Sequence, residues 1–363
     1  MNILLISGSA EPGKDGVGDY CRELSDQLSK LNHKIFRVAW NDAFIEKITE
    51  ADDALRFPSK LSEKEKWQRA VEFIKRNPID CISLQWVAYS YQAKGLPLAF
   101  SRELKRLAKW VPLRHLMVHE IWIGVESDTP LKHKVIGKIQ RLIFAKVVRS
   151  WQPQVCHTQA PFYQEHLRKL GIEAKLLPLF GNIPISKMDS KKMDDPDFLT
   201  GILFGSIPED ADFGPFFKTL DQQAEKADCQ ITIKCIGRNG NAYEAFAKEV
   251  QKHNNLSISK SGYLSEKTIS HELQSAHFGL GLARPHLLCK SGAVAAFNDH
   301  GLPILSTREG IVPEIIRSGN YLEVPLIELH ELDHTSLRDL KRTIPKAKSP
   351  TIARSMVNDL TSV

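Results

Sequence analysis

No stretch of the chain approaches the roughly 18 consecutive apolar residues of a membrane-spanning helix, so any contact with a bilayer would be peripheral. The opening Met1-Asn2-Ile3-Leu4-Leu5-Ile6-Ser7-Gly8 lacks the basic flank and the length of a signal peptide, and reads as a first β-strand. Cysteine is sparse: six residues, at positions 21, 81, 156, 229, 235 and 289, with no C-x-x-C and no histidine at metal-ligand spacing. That excludes a disulfide framework, gives no metal site, and suggests reduced core thiols in a cytoplasmic protein. Disorder is excluded as well, since 42% of the residues are hydrophobic and 25% charged.

At 363 residues the chain is too long for one ordinary core and fits two domains of about 150 to 190 residues. Strand-like runs alternate with amphipathic helical runs from Ile3 to Leu179, which predicts a parallel sheet covered on both faces. Residues 186–199 are polar and without periodicity and read as a linker. A second alternating series begins at Gly201 and runs to Tyr321-Leu322-Glu323-Val324, its last expected strand. The expected layout is a domain over 1–185, a linker over 186–199, and a second domain over 200–363 that includes the terminal helices. The fold class is α/β, with two tandem Rossmann-like, doubly wound domains facing a cleft where ligands bind.

The net charge of +6 is uneven. Residues 1–185 carry 28 Lys and Arg against 20 Asp and Glu, and the remainder carry 21 against 23. A nucleic-acid partner is not expected, because no binding motif accompanies the basic excess. An anionic membrane surface or a phosphorylated acceptor accounts for it equally well. The stretch 131–151 places Val135, Ile136, Ile139, Leu142, Ile143, Val147 and Trp151 on one helical stripe, with Lys134, Lys138, Arg141, Lys146 and Arg149 outside it. It reads first as a core-packed helix, with attachment to a membrane surface as the alternative.

The most informative stretch runs from Cys289 to Ser306 and reads as loop, helix, turn and buried strand. Ser291 and Gly292 stand where a helix would begin, so backbone N–H groups and the positive end of the dipole would face an anion beside Lys290. Gly301 would stop the helix, and Leu302-Pro303-Ile304-Leu305 would enter the strand. Read alone, the motif also fits an ordinary capped surface helix.

In the first loop, Gly16-Val17-Gly18-Asp19-Tyr20 begins like a dinucleotide fingerprint, with Asp42 near the end of the second strand. The third glycine is missing, and the loop from Ser9 to Asp19 is longer than a direct strand-to-glycine turn, which suits contact with a bulky acceptor better. His119-Glu120 follows the apolar Leu116-Met117-Val118, placing His119 at the carboxyl edge of the first sheet. The aromatic cluster Trp86, Tyr89 and Tyr91 reads as packing.

Together these residues, with Leu177-Pro178-Leu179-Phe180-Gly181-Asn182, Phe204-Gly205-Ser206, Gly262-Tyr263-Leu264, Gly301-Leu302-Pro303 and Arg308-Glu309-Gly310-Ile311-Val312-Pro313-Glu314, resemble the GT-B glycosyltransferases of the family 4 type. The resemblance spans nearly the whole chain in the same order. It implies an N-terminal acceptor domain and a C-terminal domain for a nucleotide-activated sugar. It also implies transfer with retention of configuration and no metal or cofactor, the nucleotide-sugar being a substrate. The acceptor would be a glycan, a lipid-linked molecule or a small molecule, as in cell-envelope polysaccharide synthesis.

Two features depart from that family. Aligning on Gly301-Leu302-Pro303 puts Leu288 and Ala296 where the family has two glutamates, and Ile207-Pro208-Glu209-Asp210 offers no cation where the family has Arg and Lys. The expected site therefore has His119 and Lys290 as catalytic groups, and Gly205, Ser206, Arg238, Tyr263, Leu264, Arg284, Ser291 and Gly292 as donor contacts, with help from Arg308. Gly16, Val17, Gly18 and Asp19 would shape the acceptor pocket. A non-catalytic binding or partner subunit on the same fold is the alternative, and a nicotinamide enzyme the weakest third reading.

Overall fold

The structure is a computed structural model that describes residues 1–126, 129–187, 197–318 and 321–363. It divides into two compact units, one of Met1–Leu177 with Ser349–Val363, the other of Pro178–Lys348. Among the described residues no helix is long and apolar enough to cross a membrane. All six cysteines are buried and unpaired.

The first unit is built on eight strands: β1 (Asn2–Ser7), β2 (Lys34–Asp42), β3 (Thr49–Glu50), β4 (Ala54–Pro58), β5 (Cys81–Trp86), β6 (Leu113–Val118), β7 (Val155–Thr158) and β8 (Lys175–Leu176). They lie in the order β3-β4-β2-β1-β5-β6-β7-β8. All neighbours are parallel except the short β3–β4 pair. The fully buried run Ile3-Leu4-Leu5-Ile6 is what a central parallel strand covered on both faces demands. Trp40 of β2, Trp67, Phe100 and Tyr91 pack ring to ring, and Trp86 stacks on Tyr91, so Trp86 and Tyr91 are packing residues, whereas Tyr89 is exposed.

The second unit has six parallel strands: β9 (Phe198–Ser206), β10 (Gln230–Asn239), β11 (Leu256–Gly262), β12 (Phe278–Gly281), β13 (Ile304–Ser306) and β14 (Leu326–Ile327), in the order β11-β10-β9-β12-β13-β14. Leu203, Ile233, Cys235, Phe278 and Leu280 from the strands pack with Phe213, Phe217, Leu220 and Phe246 from the covering helices.

Five expectations are revised. The helix Ser349–Thr361 belongs to the first unit, where Ser349 Oγ donates to Glu23 at 2.7 Å and Asp359 meets His157 at 2.9 Å. Its periodicity predicts a helix with one apolar face, Ile352, Ala353, Met356 and Leu360, but periodicity does not say which core receives that face. The boundary falls at 177/178, because Gly181 and Ser186 already bond within the second unit, to Asp299 and Ser270. Of the expected linker over 186–199, residues 188–196 lie outside the described residues, and Phe198 and Leu199 are part of β9. The last strand is Leu326–Ile327, Glu323 instead donating its N–H to the Asn298 side chain.

The long helix, Leu131–Trp151, is the fifth. Ile143, Val147 and Trp151 are buried as the core reading requires, but Leu131 and Leu142 are 77% and 71% exposed, and Val135 and Ile139 are exposed too.

Candidate functional site

In the second unit the chain winds from β9 outward to β10 and β11, then returns to the other side of β9 with β12. The carboxyl ends of β9 and β12 therefore flank the point where strand order reverses, the place where open parallel sheets bind ligands. Gly205 ends β9 with a φ of 90°, a left-handed conformation that a side chain would strain, and nothing lies within 4 Å of the position a Cβ would take. Ser206 beside it is exposed. At the end of β10, Asn239 is fully buried and donates its amide to the carbonyls of Gly205 (2.9 Å) and Ile236 (3.3 Å). The side chain of Asn239 thereby pins the Gly205 turn.

The segment after β12 supplies the cations. Arg284 lies 3.3 Å from the Asp210 carboxylate, and Arg308, which follows β13, lies 3.8 Å from the same oxygen. Asp210 is 62% exposed on its side chain, so two guanidiniums from separate loops converge on a solvent-facing acid at the carboxyl edge. A 3-10 turn, Pro285–Lys290, then leads into the helix Gly292–Asp299, with Lys290 the last residue of the turn. Ser291 is the N-cap, its Oγ accepting the Val294 N–H at 3.4 Å, and Gly292 faces open space with no atom within 4 Å of a Cβ. The expected helix start at Ser291 and Gly292 is thus in place, and Gly301 ends the element with a φ of 67°.

Gly205, Ser206, Arg238, Arg284, Lys290, Ser291 and Gly292 all lie at or just beyond the carboxyl edge of this sheet. Arg238 is exposed and has no ion pair among the described residues. Tyr263 and Leu264 follow the edge strand β11, farther from the reversal, and Tyr263 is exposed. Leu288 and Ala296 are buried at 0% exposure, so the positions of the family's glutamates are core positions here.

The same helix ends in a strained acid. Asp299 accepts N–H groups from Gly181 (3.1 Å) and Lys348 (3.4 Å), and its other oxygen has no partner among the described residues. Burial pushes its carboxyl up to about 7, the two backbone donors offsetting only part of that.

In the first unit His119 does stand at the carboxyl end of β6, but it is only 5% exposed. Its Nε2 donates to Gln85 Oε1 at 2.8 Å, and its ring meets Tyr20 edge-on at 4.8 Å. These contacts hold the imidazole inside the first unit although its position is at the sheet's edge. Gly16, Val17, Gly18 and Asp19 are not loop residues: they form the first turn of the helix Gly16–Lys30. Asp15 caps that turn, accepting N–H groups of Val17 (3.3 Å) and Gly18 (3.2 Å), and Asp19 accepts from Gly13 at 2.9 Å. Gly18 is required because a Cβ there would lie 2.7 Å from the Ser9 carbonyl. Asp42 is fully buried and engaged by Ser9, Ala10 and Arg56, so its carboxylate is not open to a ribose.

Sequence reasoning missed Asn239, Asp210 and Gln85, polar residues whose roles arise from contacts across strands. The one available signal was position, each lying at or near the carboxyl end of a strand-like run.

No protein-family model matches the sequence, and no curated protein matches it. Solved structures do match over its whole length. The Anabaena protein HepE, solved in complex with UDP and glucose, superposes at a TM-score of 0.63 with 12% identity, covering 100% of both chains. The lipopolysaccharide outer core galactosyltransferase WaaB, in its apo form, superposes at 0.57 with 12% identity, covering 100% of this chain and 99% of its own. The UDP-GlcNAc 2-epimerase of Methanocaldococcus jannaschii does so at 0.54 with 12% identity, covering 100% of both. Two parallel-sheet units in tandem, matched end to end by such enzymes, give this chain the GT-B glycosyltransferase-like fold.

Proposed function

We propose that this protein is a glycosyltransferase that moves a sugar from a nucleotide-sugar donor to an acceptor hydroxyl, with retention of configuration and without a metal. The observation that carries the reading is the convergence of Arg284 and Arg308 on Asp210 at the strand-order reversal, in the same carboxyl edge as the helix start at Lys290, Ser291 and Gly292. The bond between the sugar's anomeric carbon and the diphosphate oxygen breaks with its electrons passing to the diphosphate, the acceptor oxygen bonds to that carbon, and the acceptor proton leaves. Guanidiniums, an ammonium and backbone N–H groups aimed at the developing charge stabilise that step. In this reading a diphosphate replaces the Asp210 carboxylate between the two arginines, and Tyr263 offers a face to the base. Gly205 and Ser206 line the phosphate side. The matched enzymes that carry UDP in their structures favour a uridine nucleotide as the first probe.

A second reading, a nucleotide-binding subunit without turnover, is favoured by the burial of Leu288 and Ala296. Calorimetry with UDP separates the readings when paired with a turnover assay. Binding that Lys290→Ala weakens, with hydrolysis or transfer of a UDP-sugar, supports the transferase. Binding with no turnover toward any acceptor supports the subunit, and no binding of UDP or another nucleoside diphosphate refutes both.

A further inference from the structure

The first unit holds a cavity of about 370 Å³ whose wall includes Lys134, Lys138, Arg141, His166 and Lys169 and, among the described residues, no carboxylate. Its shape is built in. The Ile123 N–H donates to Gln140 Oε1 at 3.0 Å, and the Ile123 carbonyl rests on Gly137, where a Cβ would lie 1.8 Å away. Arg141 is held over the Trp122 ring at 5.6 Å, and Lys169 pairs with Glu165 at 2.7 Å. At 100° per residue, Leu131, Val135 and Leu142 form an exposed apolar stripe next to Lys134, Lys138 and Arg141 on the same helix. A soluble anion would account for the cavity but not the stripe, and a plain apolar partner would account for the stripe but not the cations. An anionic phospholipid surface satisfies both, with phosphates in the basic cavity and the leucines in the acyl boundary. We propose that this face of Leu131–Trp151 seats the protein on an acidic phospholipid membrane.

The test is co-sedimentation of the whole protein with vesicles of phosphatidylcholine alone or mixed with phosphatidylglycerol. Retention is expected only with the acidic vesicles, with release as salt rises. Lys138→Glu should lower the bound fraction by roughly tenfold, and Leu131→Ser with Leu142→Ser by a similar factor, all at exposed positions that leave melting unchanged. Equal recovery in the supernatant with both vesicles overturns the proposal. So does wild-type retention in the variants. Binding of inorganic pyrophosphate that Lys138→Glu abolishes, without vesicle retention, would make the cavity a soluble-phosphate site and also overturn it.

A different observation lies inside the same unit. Side chains on β5, β6 and β7 form one hydrogen-bonded chain: His119 Nε2 to Gln85 (2.8 Å), Gln85 Nε2 to Ser83 Oγ (2.6 Å), Ser83 to His115 Nδ1 (2.7 Å), His115 Nε2 to His157 Nδ1 (2.9 Å), and His157 Nε2 to Asp359 (2.9 Å). An ionised carboxylate can only accept, so Asp359 fixes the direction of every link. His157 and His115 must each carry the proton on Nε2, Ser83 must donate to His115, and the Gln85 amide must turn its oxygen to His119. Burial, followed by neighbouring charge, holds His115 well below the ordinary imidazole value, and burial lowers His157, so both stay neutral. We infer that Asp359 is a positioning residue that sets His119 as the Nε2–H tautomer, so that Nδ1 is its accepting nitrogen.

Long-range proton–nitrogen NMR of the full chain labelled at histidine nitrogen reads the tautomers without any substrate. All three histidines should be neutral and protonated on Nε2 at neutral pH. Asp359→Leu removes the acceptor and permits the reversed chain, so His119 should shift toward the Nδ1–H form, while Asp359→Glu keeps the wild-type pattern. Ser83→Ala, which frees the Gln85 amide to turn, should shift His119 even if Asp359→Leu fails to fold. A His119 that is Nδ1–H in the wild type, or unmoved in both Asp359→Leu and Ser83→Ala, overturns the inference whether or not the protein transfers sugar.

Discussion

The two units hold aspartates at opposite ends of a scale, Asp359 partly exposed and Asp299 buried. Asp359, in the first, is pushed up by burial, but hydrogen bonds from Lys175 and His157 outweigh that and hold it below the usual carboxylate value. Asp299, in the second, has two backbone donors, one orphaned oxygen and a carboxyl raised to about 7. The contrast extends to whole sheets. Strands β5, β6 and β7 carry Ser83, Gln85, His115 and His157 in their buried interior, whereas the buried residues of β9, β10 and β12 are apolar until Asn239 at the end of β10. The first unit therefore organises its polar chemistry within the sheet, and the second confines it to loops and a helix start at the sheet's edge. A network inside a sheet depends on every member, while an edge cluster tolerates changes that leave the fold intact.

The strongest way to sharpen this comparison is to remove the edge cations. Arg284→Ala combined with Arg308→Ala should weaken UDP binding by roughly 3 kcal/mol or more, at about 1.5 to 3 kcal/mol per charge-assisted bond, with melting little changed. Calorimetry and a melting curve read both quantities, and unchanged affinity would remove the pair from the site.

The aspartates predict opposite pH responses. Asp299 has a folded value raised to about 7 from 3.8, so its stability contribution is full below 3.8 and is lost as pH rises through about 7. The first unit's groups are lowered: the contributions of His115 and His157 are full above 6.5 and lost as pH falls below it, and that of Asp359 is lost below 3.8. Asp299→Asn should raise stability at pH 8 by on the order of a few kcal/mol and flatten the second unit's dependence between pH 4 and 8. Urea melts followed across that range would show it, and a variant with the wild-type slope would break the contrast.

The smallest expected effect is at His119. Because it is buried and bonded to Gln85, His119→Ala should cost about 1 to 3 kcal/mol of stability as well as turnover. UDP affinity should be preserved. A variant with wild-type melting would show that the imidazole contributes nothing to the network.

Much of the architecture was legible in the residues. The buried run Ile3 to Ile6 and the alternating Ile231 to Ile236, each followed by Gly within two residues, read as strands, and Ser291-Gly292 could be read as a helix start because capping is local chemistry. What was not legible depends on partners distant in sequence. Gly16 to Asp19 look like loop because glycine is a poor helix former, yet Asp15 caps them into a helical turn and the Ser9 carbonyl leaves no room for a side chain at Gly18. Leu131 and Leu142 share a period with Ile143 and Val147, and only the packed structure shows which part of that broad apolar surface is covered. The chain from His119 to Asp359 crosses three strands and ends on a helix 202 residues from His157, a separation no local pattern encodes.

The return of Ser349–Thr361 to the first unit also bears on synthesis. A ribosome delivers residues 178–348 as one uninterrupted block, so the second unit can close on itself before the final helix emerges. The first unit's sheet must wait through that interval with His157 lacking its carboxylate and the apolar surface that receives Ile352 and Met356 open to solvent. Its completion therefore comes after residues 178–348 have emerged, and a nascent chain stalled before residue 349 is the species in which a chaperone would find the first unit open.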